Sequence, residues 1–176
     1  MDWFEELTQH CTEFSLEALG EVQQKVIEEL QTRSATPLIK ALRMVQLQKA
    51  ISAVGMFSMF DAVLQDRLQC EGGGFRAAEQ LLEERGEVAL NERFRDLQLA
   101  INVLKHGRGR SYDALVKKAS ALPFRVKLPD EDFFYEGDVA EILTLVEVDD
   151  AFLRSCAETI REVSLALRST GRRMNG

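Results

Sequence analysis

The chain has 176 residues, of which 45% are hydrophobic and 29% are charged, and its formal net charge is -7. This length suits one well-buried domain, and this composition is that of a globular protein, not of a disordered, fibrous or membrane chain. No apolar run approaches the roughly 20 residues that span a bilayer. The acidic N-terminus does not resemble a signal peptide, so we expect a cytoplasmic protein without membrane contact. The cysteines lie far apart without a CxxC pair, which argues against a disulfide framework or a structural zinc site: Cys11, Cys70 and Cys156.

Two long helices are predicted in the first 70 residues. Apolar residues at steps of three and four predict an amphipathic helix over 2–31 with one buried stripe: Phe4, Leu7, Cys11, Phe14, Ala18, Val22, Val26 and Leu30. Thr36 followed by Pro37 predicts the start of a second helix, which runs to about residue 69. It is rich in apolar residues between Val45 and Leu64, a density that favours core packing, with binding of a partner or ligand as the alternative.

Three shorter helical segments are predicted next. Three glycines at 72–74 lack the spacing of a phosphate-binding loop and predict a turn. A helix over 75–85 follows, and then a helix over 87–106 with a regular core stripe: Leu90, Phe94, Leu97, Ile101 and Leu104. Gly107 predicts the end of that helix, and a short helix is expected over 111–119.

The apolar pattern changes its period after residue 122. Alternation over 124–128 and the apolar run over 139–148 predict two strands of a small hairpin, joined by a loop over 129–137 that carries Phe133, Phe134 and Tyr135. Asp149 or Asp150 is expected to cap a last helix with its own stripe: Leu153, Cys156, Ile160, Val163 and Leu167. The predicted fold is mainly α, a four- to five-helix bundle with a small β-hairpin before the last helix. We expect one domain over 1–171 and a flexible tail over 172–176.

Positive charge is concentrated in one part of this acidic chain. Between Lys105 and Lys127 there are seven Lys or Arg residues and a single acid, Asp113, so the segment carries a net charge of +6. A local basic patch can hold phosphates even when the whole protein is acidic. A solvated basic face is the alternative interpretation.

The segment NVLKHG at 102–107 contains the strongest candidate for chemistry. Helical winding places Asn102 and His106 on one face, one turn apart, and Arg95 lies on the same face with Lys105 beside it. That face is almost opposite the core stripe. Histidine is the side chain type that changes charge near neutral pH and most often serves in acid–base catalysis. An ordinary surface histidine is the alternative.

Three features of the predicted architecture are the helical bundle, the segment NVLKHG at the end of its penultimate long helix, and a hairpin that leads through LVEVDDAFL into the last helix. In these three features the chain resembles the HEPN superfamily. Many HEPN proteins are metal-independent ribonucleases of toxin–antitoxin, abortive-infection and antiviral systems. Their signature is an arginine, usually followed by Asn, Asp or His, with a histidine four to six residues after the arginine. His106 matches the family histidine and Asn102 the polar residue, whereas Ile101 occupies the arginine position.

The resemblance implies a site and a set of partners. His106 and Asn102 would be catalytic, with His106 as acid or base in the attack of an RNA 2′-OH on the adjacent phosphorus. The cations that would contact RNA are Arg95, Lys105, Arg108 and Arg110. No metal and no cofactor is implied. Family members join the arginine and histidine of two protomers at a dimer interface, so a homodimer is expected, together with an antitoxin or operon-encoded partner.

Ile101 leaves a second hypothesis open. Without the family arginine, the domain could be catalytically silent and bind RNA, a nucleotide or a protein partner through the same surface. A helical interaction domain with no role in nucleic-acid binding is a third, weaker hypothesis. Dimerisation is expected under both main hypotheses, since Leu99 lies among polar groups on the face of Arg95.

Overall fold

The computed structural model describes residues 2–30, 36–131 and 144–168. Within these ranges the chain is mainly helical, as expected. The helices are α1 (Asp2–Leu30), α2 (Thr36–Leu68), α3 (Gly74–Glu84), α4 (Val88–His106), α5 (Arg110–Lys117) and α6 (Asp150–Arg168), with a 3-10 turn at Ala119–Ala121 after α5. The predicted tail over 172–176 lies outside the described residues.

A cluster of phenylalanines joins the helices around α2. Phe57 and Phe60 of α2 lie 6.2 and 6.1 Å from the ring of Phe94 on α4. Phe75 of α3 contacts all three rings, and Phe4 of α1 stacks on Phe60 at 6.2 Å. Large aromatic side chains contribute most to core burial. The cluster therefore fixes α1, α3 and α4 on α2, and α6 packs against all four of these helices.

The predicted core stripes of α4 and α6 are confirmed. Every member of both stripes is buried: Leu90, Phe94, Leu97, Ile101 and Leu104 on α4, and Leu153, Cys156, Ile160, Val163 and Leu167 on α6. Asp149 caps α6, since the backbone N–H of Phe152 donates to Asp149 Oδ1 at 2.7 Å. This is the N-cap geometry that the sequence predicts.

The predicted buried stripe of α1 is wrong. Phe4 and Val26 are buried, but the middle of the stripe is exposed to solvent: Leu7, Cys11, Phe14, Ala18 and Val22. The buried side of the helix carries polar residues instead: Glu5, Thr8 and Thr12, with Leu16.

Hydrogen bonds and ion pairs explain why α1 buries polar side chains. The hydroxyls of Thr8 and Thr12 donate to the backbone carbonyls one turn earlier, at 2.7 and 2.8 Å. The Glu5 carboxylate contacts Arg67 of α2 at 2.9 Å and Arg168 of α6 at 2.7 Å. Buried polar groups are tolerated when they have such partners. Apolar periodicity alone gives no signal for these long-range pairs.

The predicted hairpin is not formed as a pair of strands in the described residues. Val126 and Val146 make one antiparallel bridge, with the N–H of Lys127 donating to Leu145 O at 3.0 Å. Prolines stand on both sides of 124–128, and a proline cannot donate to a strand ladder, which limits its length. The predicted loop aromatics Phe133, Phe134 and Tyr135 lie outside the described residues.

The glycine turn between α2 and α3 is confirmed. Gly72 and Gly73 have φ angles of 78° and 75°, in the left-handed region that glycine adopts without strain. Gly74 begins α3 against α2, where an added Cβ would lie 2.6 Å from the carbonyl oxygen of Asp61. The turn therefore serves close packing of two helices.

Helix α2 is long and apolar enough, by length and composition alone, to cross a membrane. Of its most apolar window, 33% is buried inside the fold. Core helices of soluble proteins pass the same test, so this observation is weak evidence for a membrane span.

Candidate functional site at the junction of α4 and α5

A cavity of about 340 Å³ opens where α4 ends and α5 begins. It is lined by Asn102, His106, Gly107, Arg108, Gly109, Arg110 and Ser111. The structure thus brings together both predicted catalytic side chains and two of the four predicted RNA-binding cations.

Two glycines shape the cavity. Gly107 has a φ angle of 75°, and its N–H donates to the carbonyl of Val103 at 2.8 Å, which ends α4. The carbonyl of Gly109 accepts the first α5 hydrogen bond, from Asp113 at 3.0 Å, and no side chain caps this helix. Uncapped amides at a helix N-terminus favour anions, because their N–H groups and the helix dipole both attract negative charge.

Asn102 and His106 lie where helical winding places them. Both side chains are exposed, whereas Leu97 and Leu104 on the opposite side of α4 are buried. Ile101, at the family arginine position, is 3% exposed and belongs to the hydrophobic core. A cation at that position would have to leave the core to reach the cavity.

Arg95 and Lys105 do not line the cavity. Arg95 Nε donates to Glu79 Oε2 of α3 at 2.8 Å, and this hydrogen bond raises the pKa of Arg95. Its charge is therefore partly compensated inside the fold. Lys105 is exposed on α4 beside the cavity, as the sequence predicts.

Tyr112 orients one of the cavity arginines. The guanidinium carbon of Arg108 lies 5.4 Å from the centre of the Tyr112 ring, within the range of a cation–π contact. Tyr112 is buried, and its hydroxyl donates to the carbonyl of Lys127 at 2.7 Å. The four-residue spacing of Arg108 and Tyr112 is the sequence signal that could have indicated this contact.

Two cations of the basic segment form ion pairs within the fold. Lys118 forms an ion pair with buried Asp96 of α4, which ties the end of α5 to α4. Arg125 lies 3.6 Å from Glu131 and 4.0 Å from Glu147. Lys105, Arg108 and Arg110 expose positive charge at or beside the cavity, and Lys117 of α5 and Arg125 are exposed as well. No local pattern in the sequence indicates the pairing of Lys118 with Asp96.

The cavity contains donors and cations but no acid. No carboxylate is among its lining residues. Within the described ranges, neither Asn102 nor His106 makes a side-chain hydrogen bond to the protein, so both are available to a ligand. The described residues also contain no group of three or more His, Cys, Asp or Glu side chains that could hold a metal ion.

A second cavity, of about 450 Å³, lies between α1 and α6. Its charged side chains are occupied with each other. Arg154 makes two hydrogen bonds to the Glu13 carboxylate, at 3.0 and 2.9 Å, and Glu158 is bound by Arg161 and Gln9. The Arg154–Glu13 and Gln9–Glu158 contacts join α1 to α6, and every charged residue that lines this cavity has a partner.

Comparison of the chain with protein-family models, with curated proteins and with solved structures finds no match.

Proposed function

We propose that this chain is an HEPN-like protein that binds RNA at the α4–α5 cavity and cleaves it without a metal ion. One observation carries the proposal: Asn102 and His106 line the same cavity as Arg108 and Arg110, at the start of a helix that no side chain caps. Both Asn102 and His106 are exposed, and neither makes a side-chain hydrogen bond within the described residues. Cations, amide donors and a histidine in one small cavity match what a phosphodiester and its cleavage require.

Binding depends on the anion-attracting side of the cavity. Arg108 and Arg110 supply guanidinium groups, which bind phosphate oxygens with two donors at once. The first amides of α5 add further donors. Because the chain as a whole is acidic, this attraction is local and decreases as salt concentration rises.

Cleavage would use His106 as an acid or base. As a base, its imidazole removes the proton from the RNA 2′-OH, and the 2′-oxygen attacks the adjacent phosphorus. The bond from phosphorus to the 5′-oxygen breaks, and that oxygen takes a proton from an acid or from water. The products are a 2′,3′-cyclic phosphate and a 5′-OH. Arg108 would stabilise the charge that develops on the phosphoryl oxygens.

A catalytically silent module is the second candidate, and one observation favours it. Ile101 is buried in the core, so the cation that the family motif supplies from this helix position is missing. Such a module would bind RNA, a nucleotide or a protein partner at the same cavity without cleavage.

The proposal is tested with purified protein, single-stranded RNA and EDTA, with mapping of the cleaved ends. We expect cleavage with 2′,3′-cyclic phosphate ends by the wild type and by His10→Ala, which removes the other histidine of the chain, exposed on α1. His106→Ala should lose about 10²–10⁴-fold in rate, the usual contribution of acid–base catalysis.

The outcomes separate the candidates. RNA binding that depends on Arg110, without cleavage, would favour the silent module. Neither binding nor cleavage, or equal cleavage by His106→Ala, would overturn the proposed ribonuclease.

The same proposal extends to a setting in which the chain acts in the cytoplasm as a toxin or phage-defence effector, with an antitoxin or operon-encoded partner. Induced expression of the wild type should then arrest growth and degrade cellular RNA. His106→Ala should do neither, and arrest by His106→Ala would contradict a role for cleavage.

A further inference from the structure

The outer surface of the α1–α2 pair exposes a set of large apolar side chains. We call it the apolar face, and its members are Leu7, Cys11, Phe14 and Val22 of α1 with Met44, Leu47, Ile51 and Met59 of α2. Phe14 is 72% exposed, Met44 67% and Ile51 54%. The α1 members recur at steps of three, four and eight residues, which keeps them on one side of the helix.

Contacts within the bundle show that these residues lie together. The hydroxyl of Thr12 contacts the sulfur of Met56 at 3.3 Å, and Lys49 donates to Gln23 at 3.2 Å, so α1 and α2 are antiparallel neighbours. On the other side of this contact line, Glu13 of α1 binds α6. Phe60 points into the phenylalanine cluster, and Ile51, nine residues away, lies on the opposite side of α2.

The face is large for a monomer surface. Seven large side chains that are 42–72% exposed, together with the exposed Cys11, present on the order of 100 Å² each. Their total, on the order of 800 Å², is what one partner contributes to a standard protein interface. Monomers rarely leave a contiguous apolar patch of this size in water. Residues 50–60 of α2 also carry no charge, so the centre of the face holds no charged group that would resist burial.

Charges on the two helices are complementary. The exposed side of α1 carries the acids Glu17, Glu21 and Glu28 and the base Lys25. Residues 36–60 of α2 carry no acid, and their bases outside the core are Lys40 and Arg43. The third base of this range, Lys49, is buried and paired with Asp150. Among the described residues, Glu21, Lys40 and Arg43 have no ion-pair partner. If α1 of one molecule packed on α2 of another, acids in the second half of α1 would face bases near the start of α2 in each of the two contacts.

We propose that the apolar face is the interface with a second copy of this chain, in a twofold dimer that packs α1 of each protomer on α2 of its partner. A twofold axis along the helices produces both contacts at once from the same patch. The two α1–α2 pairs then form two layers of two helices each, with apolar residues between the layers and the charges of α1 and α2 at their edges. A membrane surface fits less well, because glutamates border the face and anionic lipids would repel them.

This interface is independent of the proposed RNA chemistry. Helix α4 packs on the inner side of α2 through Phe94, so the apolar face and the α4–α5 cavity lie on opposite sides of the bundle. The dimer leaves both cavities open to solvent. A composite site between two α4 helices, as in the HEPN family, would need a separate contact.

The test is the mass of the full chain in solution, measured by light scattering and sedimentation at micromolar concentration. The wild type should be a dimer. Phe14→Glu and Ile51→Glu should each give a monomer with unchanged helical circular dichroism, because both residues are exposed. Val88→Glu, which changes an exposed apolar residue of α4 outside the face, is the matched control and should stay dimeric.

Charge reversal tests the pairing of α1 with α2. Lys40→Glu with Arg43→Glu, and separately Glu21→Lys with Glu28→Lys, should each weaken the dimer, and an equal mixture of the two variants should restore it. A monomeric wild type would overturn the proposal. So would a dimer that survives both Phe14→Glu and Ile51→Glu, or binding of the face to neutral vesicles without self-association.

Discussion

Two surfaces of this bundle differ in the kind of group that they expose to solvent. The apolar face of α1 and α2 exposes hydrocarbon without charge at its centre, whereas the α4–α5 cavity exposes donors and cations without an acid. Burial of the apolar face in a complex is favourable because it removes apolar surface from water, and this contribution depends little on salt. Binding of an anion at the α4–α5 cavity is favourable because of charge attraction, and its affinity depends strongly on salt. One molecule can therefore carry two partners of different chemistry on opposite sides.

The largest expected effect comes from the ion pairs behind the apolar face. Glu5→Gln should lower the free energy of unfolding by about 3 kcal/mol, because Arg67, whose side chain is 11% exposed, loses its counter-ion. Urea unfolding followed by circular dichroism measures it. The exposed neighbour Glu6→Gln is the control and should stay within about 0.5 kcal/mol. Equal effects of the two substitutions would mean that Glu5 does not anchor α1.

The salt dependence of RNA binding distinguishes the two surfaces directly. Each phosphate contact on a single strand contributes about 0.7 to the slope of log K against log salt. Replacing both Arg108 and Arg110 by Ala should weaken binding and reduce the slope by about 1.4, measured by fluorescence anisotropy. Ile51→Glu and Arg154→Ala lie away from the cavity and should leave the slope unchanged. A reduced slope in either control would place the RNA elsewhere.

Thiol reactivity reports on the apolar face with less perturbation. Cys11 lies on the face, Cys70 lies outside it, and burial raises the pKa of the Cys156 thiol. In the dimer, modification of Cys11 should be several-fold slower than in the Ile51→Glu monomer, with Cys70 unchanged and Cys156 unreactive until unfolding. Mass spectrometry of timed samples measures the rates. Equal Cys11 rates in both proteins would contradict the interface.

The smallest effect concerns the second cavity, between α1 and α6, whose ion pairs we expect to stabilise the fold and not to bind a ligand. Arg154 holds the pKa of Glu13 below its ordinary value of about 4.5. The pair therefore stabilises the fold above that value, and its contribution is lost as pH falls through the lowered pKa. Glu13→Gln should slightly reduce the melting temperature at pH 7 and leave it unchanged near pH 2. A larger effect at low pH would contradict this sign.

Much of the fold could be predicted because most helices follow simple periodicity. The ends of α4 at Gly107 and of α6 at Asp149 are marked by residues whose local chemistry forces a boundary. The same periodicity was misleading in α1. There the buried side is set by Glu5, Thr8 and Thr12, whose partners are distant in sequence or lie in the helix backbone.

In the candidate site, too, local periodicity predicts some features, and the packing of distant helices sets the others. Helical winding places Asn102 and His106 together on an exposed face, and the structure agrees. The pairing of Arg95 with Glu79 and of Lys118 with Asp96 depends on how α3 and α5 pack on α4, which no local pattern encodes. Charge counts along the chain therefore do not show which cations are paired within the fold, whereas the structure places Arg108 and Arg110 in the lining of the cavity.

The most direct test of the central claim is an amide chemical-shift titration of the full chain with a 2′-O-methyl RNA oligonucleotide, which binds but cannot be cleaved. The account predicts shifts over residues 102–112, with Asn102, His106 and the first amides of α5 most affected. Residues of α1 and α2 on the apolar face should not move. Shifts confined to the apolar face or to the α1–α6 groove, or no shifts at low salt, would contradict the assignment of RNA binding to the α4–α5 cavity.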